Sequence, residues 1–210
     1  MFPGLRGLTF QNLDPERWES EVAAYEKSDS VNFPAKGGIV FTGSSSIRLW
    51  KNLPQQFPGK KVINRGIGGS QLSDIIYYAD RLIKPYQPRK VFVYCGGNDI
   101  QDGKSPEKVL EDFKALYNRI KKNLPDTKLY YISIQTAPVR EKNDAVFQRA
   151  NELIKAYLLR NTPDVYIDVT KLLQDEKGHP KPEYFIEDQL HMNDKGYERW
   201  ARVIKPYVEQ

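Results

Sequence analysis

Four short segments of the chain carry residue types that together can perform acyl transfer. The run Ser44–Ser46 offers hydroxyls, which become nucleophiles when a neighbouring base takes the proton. His191 follows Asp188 by three residues, so the carboxylate can curl back to the imidazole, fix its tautomer and leave the other ring nitrogen free as a base. Asn98 offers a side-chain donor, and a backbone N–H within Gly66–Gly69 is a second candidate donor to an oxyanion.

Each segment also has a simpler interpretation as a turn. Serine, glycine and asparagine are common turn residues, and that interpretation stays open for each segment alone. The serine run lacks the Gly-Lys-Ser/Thr ending of a phosphate-binding loop, and Ile47 stands where the nucleophile elbow Gly-x-Ser-x-Gly needs a glycine. The glycines of Gly66–Ser70 depart from the spacing of the dinucleotide fingerprint, which disfavours nucleotide binding.

The chain has only two histidines, which narrows the choice of a base. His179 lies in a polar turn near Asp175 and Glu176, which are interpreted as ordinary surface charges. If a histidine base is needed, His191 is the candidate, although a purely structural histidine stays open. With two histidines and a single cysteine, Cys95, a His/Cys metal site is disfavoured, and we expect neither a metal nor a cofactor.

The hydrophobic pattern places these segments on an α/β framework, because strand-sized apolar runs alternate with stretches of helical periodicity. Strands are predicted at 38–42, 62–64, 90–95, 128–134 and 164–168, and helices at 14–27, 73–83, 105–123, 143–160 and 193–207. Strands separated by helices predict a doubly wound parallel sheet covered on both faces. Ligands bind such sheets outside the carboxyl ends of the strands, and three of the four segments directly follow a predicted strand.

Composition limits the other classes of function. The chain has 210 residues and a net charge of +5, but its basic residues are scattered and run together only in pairs, which disfavours nucleic-acid binding. No apolar run approaches the length of a membrane span, and residues 1–18 lack the long apolar region of a secretory signal. We expect a soluble protein and leave open whether it is cytoplasmic or exported with its signal removed, and whether it forms homo-oligomers. Cys95 is interpreted as a small buried hydrophobe.

Taken together and in this order, the four segments resemble the SGNH hydrolase superfamily of GDSL-like lipases and esterases, over residues 38–207. The matching residues are Ser45 after Gly43, Gly69 in the block Asn64–Gly69, Asn98 in Gly96–Asp99, and His191 with Asp188. The block Gly-Ser-Ser-Ser-Ile is similar to that of a subgroup of bacterial esterases. It departs from the usual family pattern, in which Asp stands at the position of Ser44 and Leu at that of Ser46. That Asp is not a triad member, so the catalytic roles are unaffected.

The resemblance implies a three-layer α/β/α sandwich with a five-stranded, flavodoxin-like parallel sheet. It implies one domain over 1–210, in which 1–37 form an N-terminal helical extension packed on the core. Ser45 would be the nucleophile, His191 its base and Asp188 the acid that orients the base. The oxyanion hole would consist of the backbone N–H groups of Ser45 and Gly69 and the side-chain amide of Asn98.

The expected function is hydrolysis of a small-molecule carboxylic ester through an acyl-enzyme. No long apolar lid segment is visible, which favours short acyl or acetyl esters over emulsified fat. The alternatives are a catalytically silent carbohydrate- or ligand-binding protein on the same fold and a nucleotide-binding protein. Asp99 is either a helix cap or a group that positions neighbouring loops. Arg65 either contacts substrate or forms a structural ion pair, and Trp50 either lines the pocket or belongs to the core.

Overall fold

A computed structural model describes residues 14–210 of the chain. Its centre is a five-stranded sheet in which every pairing is parallel and the strand order is β2-β1-β3-β4-β5. The strands are β1 (Ile39–Gly43), β2 (Val62–Gly66), β3 (Lys90–Tyr94), β4 (Lys128–Ile132) and β5 (Val165–Ile167). The predicted α/β class and the flavodoxin-like parallel sheet are therefore confirmed.

Helices cover both faces of the sheet and bury alternate strand residues. They are α1 (Glu19–Val31), α2 (Ser45–Arg48), α3 (Leu53–Gln56), α4 (Leu72–Leu82), α5 (Gly97–Gln101), α6 (Pro106–Asn123), α7 (Asp144–Asn161) and α8 (Asp194–Glu209). In β3, Val91 and Val93 pack with residues of α4, α6 and α7 on one face, whereas Phe92 packs with α8 on the other. This two-sided burial explains why the strands are almost continuously apolar.

The N-terminal region begins as predicted and then differs in detail. Asp14 accepts a hydrogen bond from the backbone N–H of Glu16 over 2.9 Å and caps a 3-10 turn, Pro15–Trp18, which leads into α1. Val22 is fully buried against the core, so α1 contacts the main body of the protein. Residues 1–13 of the predicted extension lie outside the described residues.

Two glycines allow the ends of β1 and β2 to approach their neighbours. A Cβ on Gly43, where φ is +126°, would lie 2.0 Å from the carbonyl oxygen of Tyr94. A Cβ on Gly66 would lie 2.4 Å from the backbone nitrogen of Arg48 in α2. Only a residue without a side chain fits at either place, so these glycines let the turn after β1 sit tightly between β2 and β3.

The short helices α3 and α5 were not predicted. Each has only four or five residues, too few for a periodic pattern to register. None of the helices within 14–210 has the length and apolar character needed to cross a membrane.

Candidate active site

Ser45 is the first residue of α2, directly beyond the carboxyl end of β1. The backbone N–H of Ser44 donates to the carbonyl oxygen of Tyr94 over 2.9 Å, which fixes the turn against β3. Within residues 14–210 the backbone N–H of Ser45 itself donates to no acceptor, as is usual in the first turn of a helix. An oxyanion formed beside the serine hydroxyl can therefore use this N–H.

The loop before α8 brings His191 to Ser45. Nε2 of His191 lies 2.8 Å from Oγ of Ser45, and Nδ1 lies 2.6 Å from Oδ2 of Asp188. The carboxylate of Asp188 is held in turn, because its Oδ1 accepts the backbone N–H groups of Leu190 and His191, both over 2.9 Å. The result is a continuous hydrogen-bonded chain from carboxylate to imidazole to hydroxyl, the arrangement of a catalytic triad.

The electrostatics of this loop favour an ionised Asp188. Partial burial on its own would raise the pKa of the carboxyl. The backbone and ring N–H groups of His191 and the N–H of Leu190 hydrogen-bond to the carboxylate and, together, lower the pKa below its usual value. A carboxylate that stays ionised can fix one imidazole tautomer and stabilise the cation that forms when His191 takes a proton.

Asn98 lies in the first turn of α5, beyond β3, and its side-chain amide is held at both ends. Nδ2 donates to the carbonyl oxygen of Ser70 over 2.9 Å, and Oδ1 accepts from Nη2 of Arg140 over 2.8 Å. Because one neighbour is purely an acceptor and the other purely a donor, the orientation of the amide is fixed. The second N–H of Nδ2 remains for a ligand in the cleft that Asn98 shares with Ser45.

Gly69 adopts a left-handed conformation with φ of +69° in the loop after β2. This loop is tied to the same edge of the sheet, because the N–H of Ile67 donates to the carbonyl oxygen of Gly43 over 2.8 Å and Ser70 accepts from Asn98. Gly69 itself does not line the cleft that contains Ser45. The structure thus gathers Ser45, His191 and Asn98 around one space, and Gly69 lies in the neighbouring loop.

Asp99 positions two loops instead of facing the cleft. It is fully buried, accepts the backbone N–H of Leu72 at the start of α4, and pairs with Nζ of Lys104 over 2.8 Å. Burial raises the pKa of Asp99, and the ammonium of Lys104 opposes that effect. Asp99 was expected to act either as a helix cap or as a group that positions neighbouring loops. Its contacts with Leu72 and Lys104 fit the second role.

The cleft beside Ser45 encloses about 30 Å³. Residues after β4 form one wall, with Gln135 and Arg140, and the loop before α8 forms another, with Phe185 and Leu190. Gln135 and Arg140 are not among the site residues predicted from the sequence. The signal was available, because both follow a predicted strand and lie at the same sheet edge as the four segments.

Four other residues singled out from the sequence lie elsewhere. Arg65 is buried and pairs with Asp29 over 2.6 Å, so it forms a structural ion pair. Trp50 is fully buried in the core. His179 is exposed and interacts with a surface carboxylate. Cys95 is buried, as predicted.

A model of a known protein family matches most of the chain. Residues 36–199 match the model of the GDSL-like lipase/acylhydrolase family. Among curated protein sequences, none matches the chain.

Solved structures share the fold at low sequence identity. A Streptococcus pneumonia protein described as a candidate platelet activating factor has 22% identity and a TM-score of 0.78, with 91% of this chain and 93% of that chain covered. A GDSL-like lipase from Bacteroides thetaiotaomicron has 21% identity and a TM-score of 0.71, covering 96% and 98%. A catalytic mutant of an acetylxylan esterase from Geobacillus stearothermophilus has 12% identity and a TM-score of 0.66, covering 83% and 95%. At these identities the likeness concerns the fold alone.

Proposed function

Because this chain belongs to the GDSL-like lipase/acylhydrolase family, we propose that it is a serine esterase that hydrolyses short-chain acyl or acetyl esters. Family and esterase neighbours support a hydrolase that acts on esters. The observation that carries the finer proposal is the hydrogen-bonded chain from Asp188 through His191 to the hydroxyl of Ser45.

The reaction proceeds in two steps. Oγ of Ser45 attacks the ester carbonyl carbon while Nε2 of His191 takes the hydroxyl proton, and Asp188 stabilises the imidazolium. The carbonyl electron pair moves to oxygen, where the N–H groups of Ser45 and Gly69 and the amide of Asn98 would bind the oxyanion. As the pair returns, the bond to the alcohol oxygen breaks and His191 protonates the departing alcohol.

Water then hydrolyses the acyl-enzyme by the same route. His191 takes a proton from the water, the hydroxide oxygen attacks the acyl carbon, and Oγ of Ser45 leaves with a proton from the imidazolium. The products are one carboxylic acid, one alcohol and the free enzyme. Within this scheme every proton transfer uses His191, which suits a site where one imidazole contacts the nucleophile directly.

The size of the cleft supports a short acyl group. The centres of water molecules can occupy about 30 Å³ of the cleft, which is room for roughly two waters, so a short acyl group fits more readily than a long one. Bulky side chains bound it, including the fully buried Trp200 and the mostly buried Phe185. A long acyl chain would require these side chains to move. The acetylxylan esterase among the structural neighbours is named for an acetyl ester, which is consistent with this size.

Hydrolysis of p-nitrophenyl acetate, butyrate and octanoate by the wild type and by Ser45→Ala tests the proposal. We expect the wild type to hydrolyse the acetate fastest and the octanoate slowest, and Ser45→Ala to retain no more than background activity. The neighbouring Ser46→Ala variant is the matched control for a lost hydroxyl in the same turn.

Other outcomes would change the proposal. Equal activity of the wild type and Ser45→Ala would exclude Ser45 as the nucleophile. Absence of turnover on every ester, combined with no labelling by an organophosphonate serine probe, would favour a catalytically silent ligand-binding protein. A preference for the octanoate would contradict the short-chain part of the proposal alone.

A further inference from the structure

The wall of the cleft formed by residues after β4 carries hydrogen-bond donors that the described part of the protein leaves unused. Gln135 and Arg140 supply these donors, and both line the same cleft as Ser45. The wall at the loop before α8 contains the apolar side chains of Phe185 and Leu190 beside His191. A substrate that fits between the two walls therefore meets donors on one side.

Arg140 is a partly buried cation without a carboxylate partner. Within residues 14–210 it makes no ion pair, and its Nη2 donates to the amide oxygen of Asn98. Burial lowers the pKa of its guanidinium, since the surroundings disfavour the charge. The other arginines of the described chain that form no ion pair are exposed, namely Arg89, Arg160, Arg199 and Arg202. Arg140 thus differs from them in being withdrawn from solvent.

Arg140 lines the cleft and retains N–H groups that donate to no acceptor within residues 14–210. A guanidinium has five N–H groups, and the bond to Asn98 uses one of them. Nη1 lies 3.4 Å from the Cβ position of Gly97, another residue that lines the cleft. Asp102 attracts the guanidinium electrostatically, but its carboxylate accepts a hydrogen bond from Gln71 over 2.7 Å and lies outside ion-pair distance.

Gln135 supplies a second unused donor, and its orientation is fixed by chemistry. Its side-chain oxygen accepts the indole N–H of Trp200. An indole nitrogen can only donate, so the atom that faces it must be the amide oxygen. The amide nitrogen Nε2 then points away from Trp200, is buried, and finds no acceptor among residues 14–210. A buried amide nitrogen without an acceptor costs free energy, which a ligand oxygen would recover once the side chain of Gln135 shifts toward the cleft that it lines.

We propose that the substrate ester carries a carboxylate close to its scissile bond, and that Arg140 and Gln135 bind this carboxylate. A planar guanidinium matches a carboxylate with two parallel N–H groups, and the amide of Gln135 donates to an oxygen on the other side. The small cleft requires the carboxylate to lie within a few bonds of the ester. This inference rests on the proposed esterase function and specifies its substrate class.

The carboxylate can belong to the acyl part or to the alcohol part of the ester, so two pairs of substrates are needed. Monophenyl malonate against phenyl propanoate tests the acyl part with a short acyl group, and 3-acetoxybenzoate against its methyl ester tests the alcohol part. The measured quantity is the ratio of kcat/KM between the charged and the neutral ester of each pair, after subtraction of spontaneous hydrolysis. A ratio within one enzyme is insensitive to general losses of activity or of folded protein.

For the wild type we expect a ratio of about ten or more in one pair, falling in 0.5 M NaCl because salt screens the attraction. Arg140→Met should bring the ratio to about one, while Arg140→Lys retains part of it. Gln135→Glu keeps an oxygen for Trp200 but replaces the donor with a negative group, so it should reduce the ratio by roughly tenfold or more. Arg149→Met removes the same charge from an exposed residue of α7 and should leave the ratio unchanged.

The two proposals fail in different ways. If neutral esters are hydrolysed and the wild-type ratio is one or less in both pairs, the carboxylate inference is wrong and the esterase proposal stands. A ratio that survives Arg140→Met would also overturn the inference. If no ester is hydrolysed, including p-nitrophenyl acetate, the esterase proposal fails and the inference falls with it.

Discussion

Arg140 and Asn98 are joined by a hydrogen bond of 2.8 Å from Nη2 to Oδ1, which links the cation of the cleft to the candidate oxyanion donor. The carbonyl oxygen of Ser70 holds the other end of the same amide. Two fixed neighbours prevent the amide from rotating, so its remaining N–H is directed before any substrate arrives. Such preorganisation is what makes a donor effective toward a developing charge.

Replacing Asn98 by Ala should therefore reduce kcat on p-nitrophenyl acetate by about a hundredfold to a thousandfold and leave KM nearly unchanged. The reason is that the lost donor binds the oxyanion more strongly than the neutral carbonyl. Asn143→Ala is the control, because its amide bonds to Gln101 on the exposed surface. Both variants are tested by measuring kcat and KM at steady state. A raised KM with unchanged kcat would assign Asn98 to substrate binding instead.

Asp188→Asn should reduce kcat for two reasons. The amide no longer fixes the tautomer of His191, and it no longer stabilises the imidazolium by its negative charge. In a buried triad this change costs about 10⁴ in kcat. The side chain of Asp188 is 43% exposed, so water can replace part of its effect, and we expect a smaller loss, on the order of a hundredfold. Asp194→Asn, at the exposed start of α8, serves as the control. Unchanged activity in Asp188→Asn would mean that the carboxylate only shapes the loop.

Gly69→Ala should impair both stability and activity. A residue with a Cβ pays about 1–2 kcal/mol in the left-handed conformation, and this Cβ would lie 3.2 Å from the ring of Trp18. Gly59 has φ of +77° with no atom within 4 Å of its Cβ position, so Gly59→Ala carries the backbone strain alone. Thermal unfolding and kcat are measured for both variants. If kcat falls equally in the two, the loop after β2 has no special part in catalysis.

Cys95 should be inert in the folded protein. Burial raises the pKa of its thiol well above the usual value, and only the thiolate reacts readily. Iodoacetamide at pH 8 should leave the native protein unmodified by mass spectrometry and add one group after unfolding in guanidinium chloride. Modification of the native protein with loss of esterase activity would contradict this prediction and point to a cysteine near the reacting atoms.

Much of this architecture could be predicted because hydrophobic periodicity reports on burial. The long helices α6 and α7 agree with their predicted bounds within one residue at each end. The predicted strand 128–134 instead ends at Ile132. Ser133 and Ile134 are as buried as the strand itself, and an apolar pattern cannot distinguish a buried strand from the buried loop that follows it.

In the candidate site, contacts between residues close in sequence could be predicted, and contacts between distant residues could not. His191 and Asp188 are three residues apart, so their contact could be predicted from the sequence. The contact of Arg140 with Asn98 joins residues 42 positions apart, and that of Gln135 with Trp200 spans 65. Which wall of the cleft such residues occupy depends on strand order and on side-chain orientation, and neither follows from local spacing.

Side chains of the segment before β1 contact Gly66 at the end of β2 and both glycines of the loop that follows, Gly68 and Gly69. The hydroxyl of Tyr25 donates to the carbonyl oxygen of Gly66 over 2.7 Å, and the carboxylate of Glu21 accepts the N–H of Gly68 over 3.0 Å. The ring of Trp18 covers Gly69. These three side chains, of Trp18, Glu21 and Tyr25, lie before residue 36, where the match to the family begins. The unit that holds the loop after β2 in place is therefore larger than the unit that the family match defines, and a chain cut at residue 36 would lose the side chains that contact this loop.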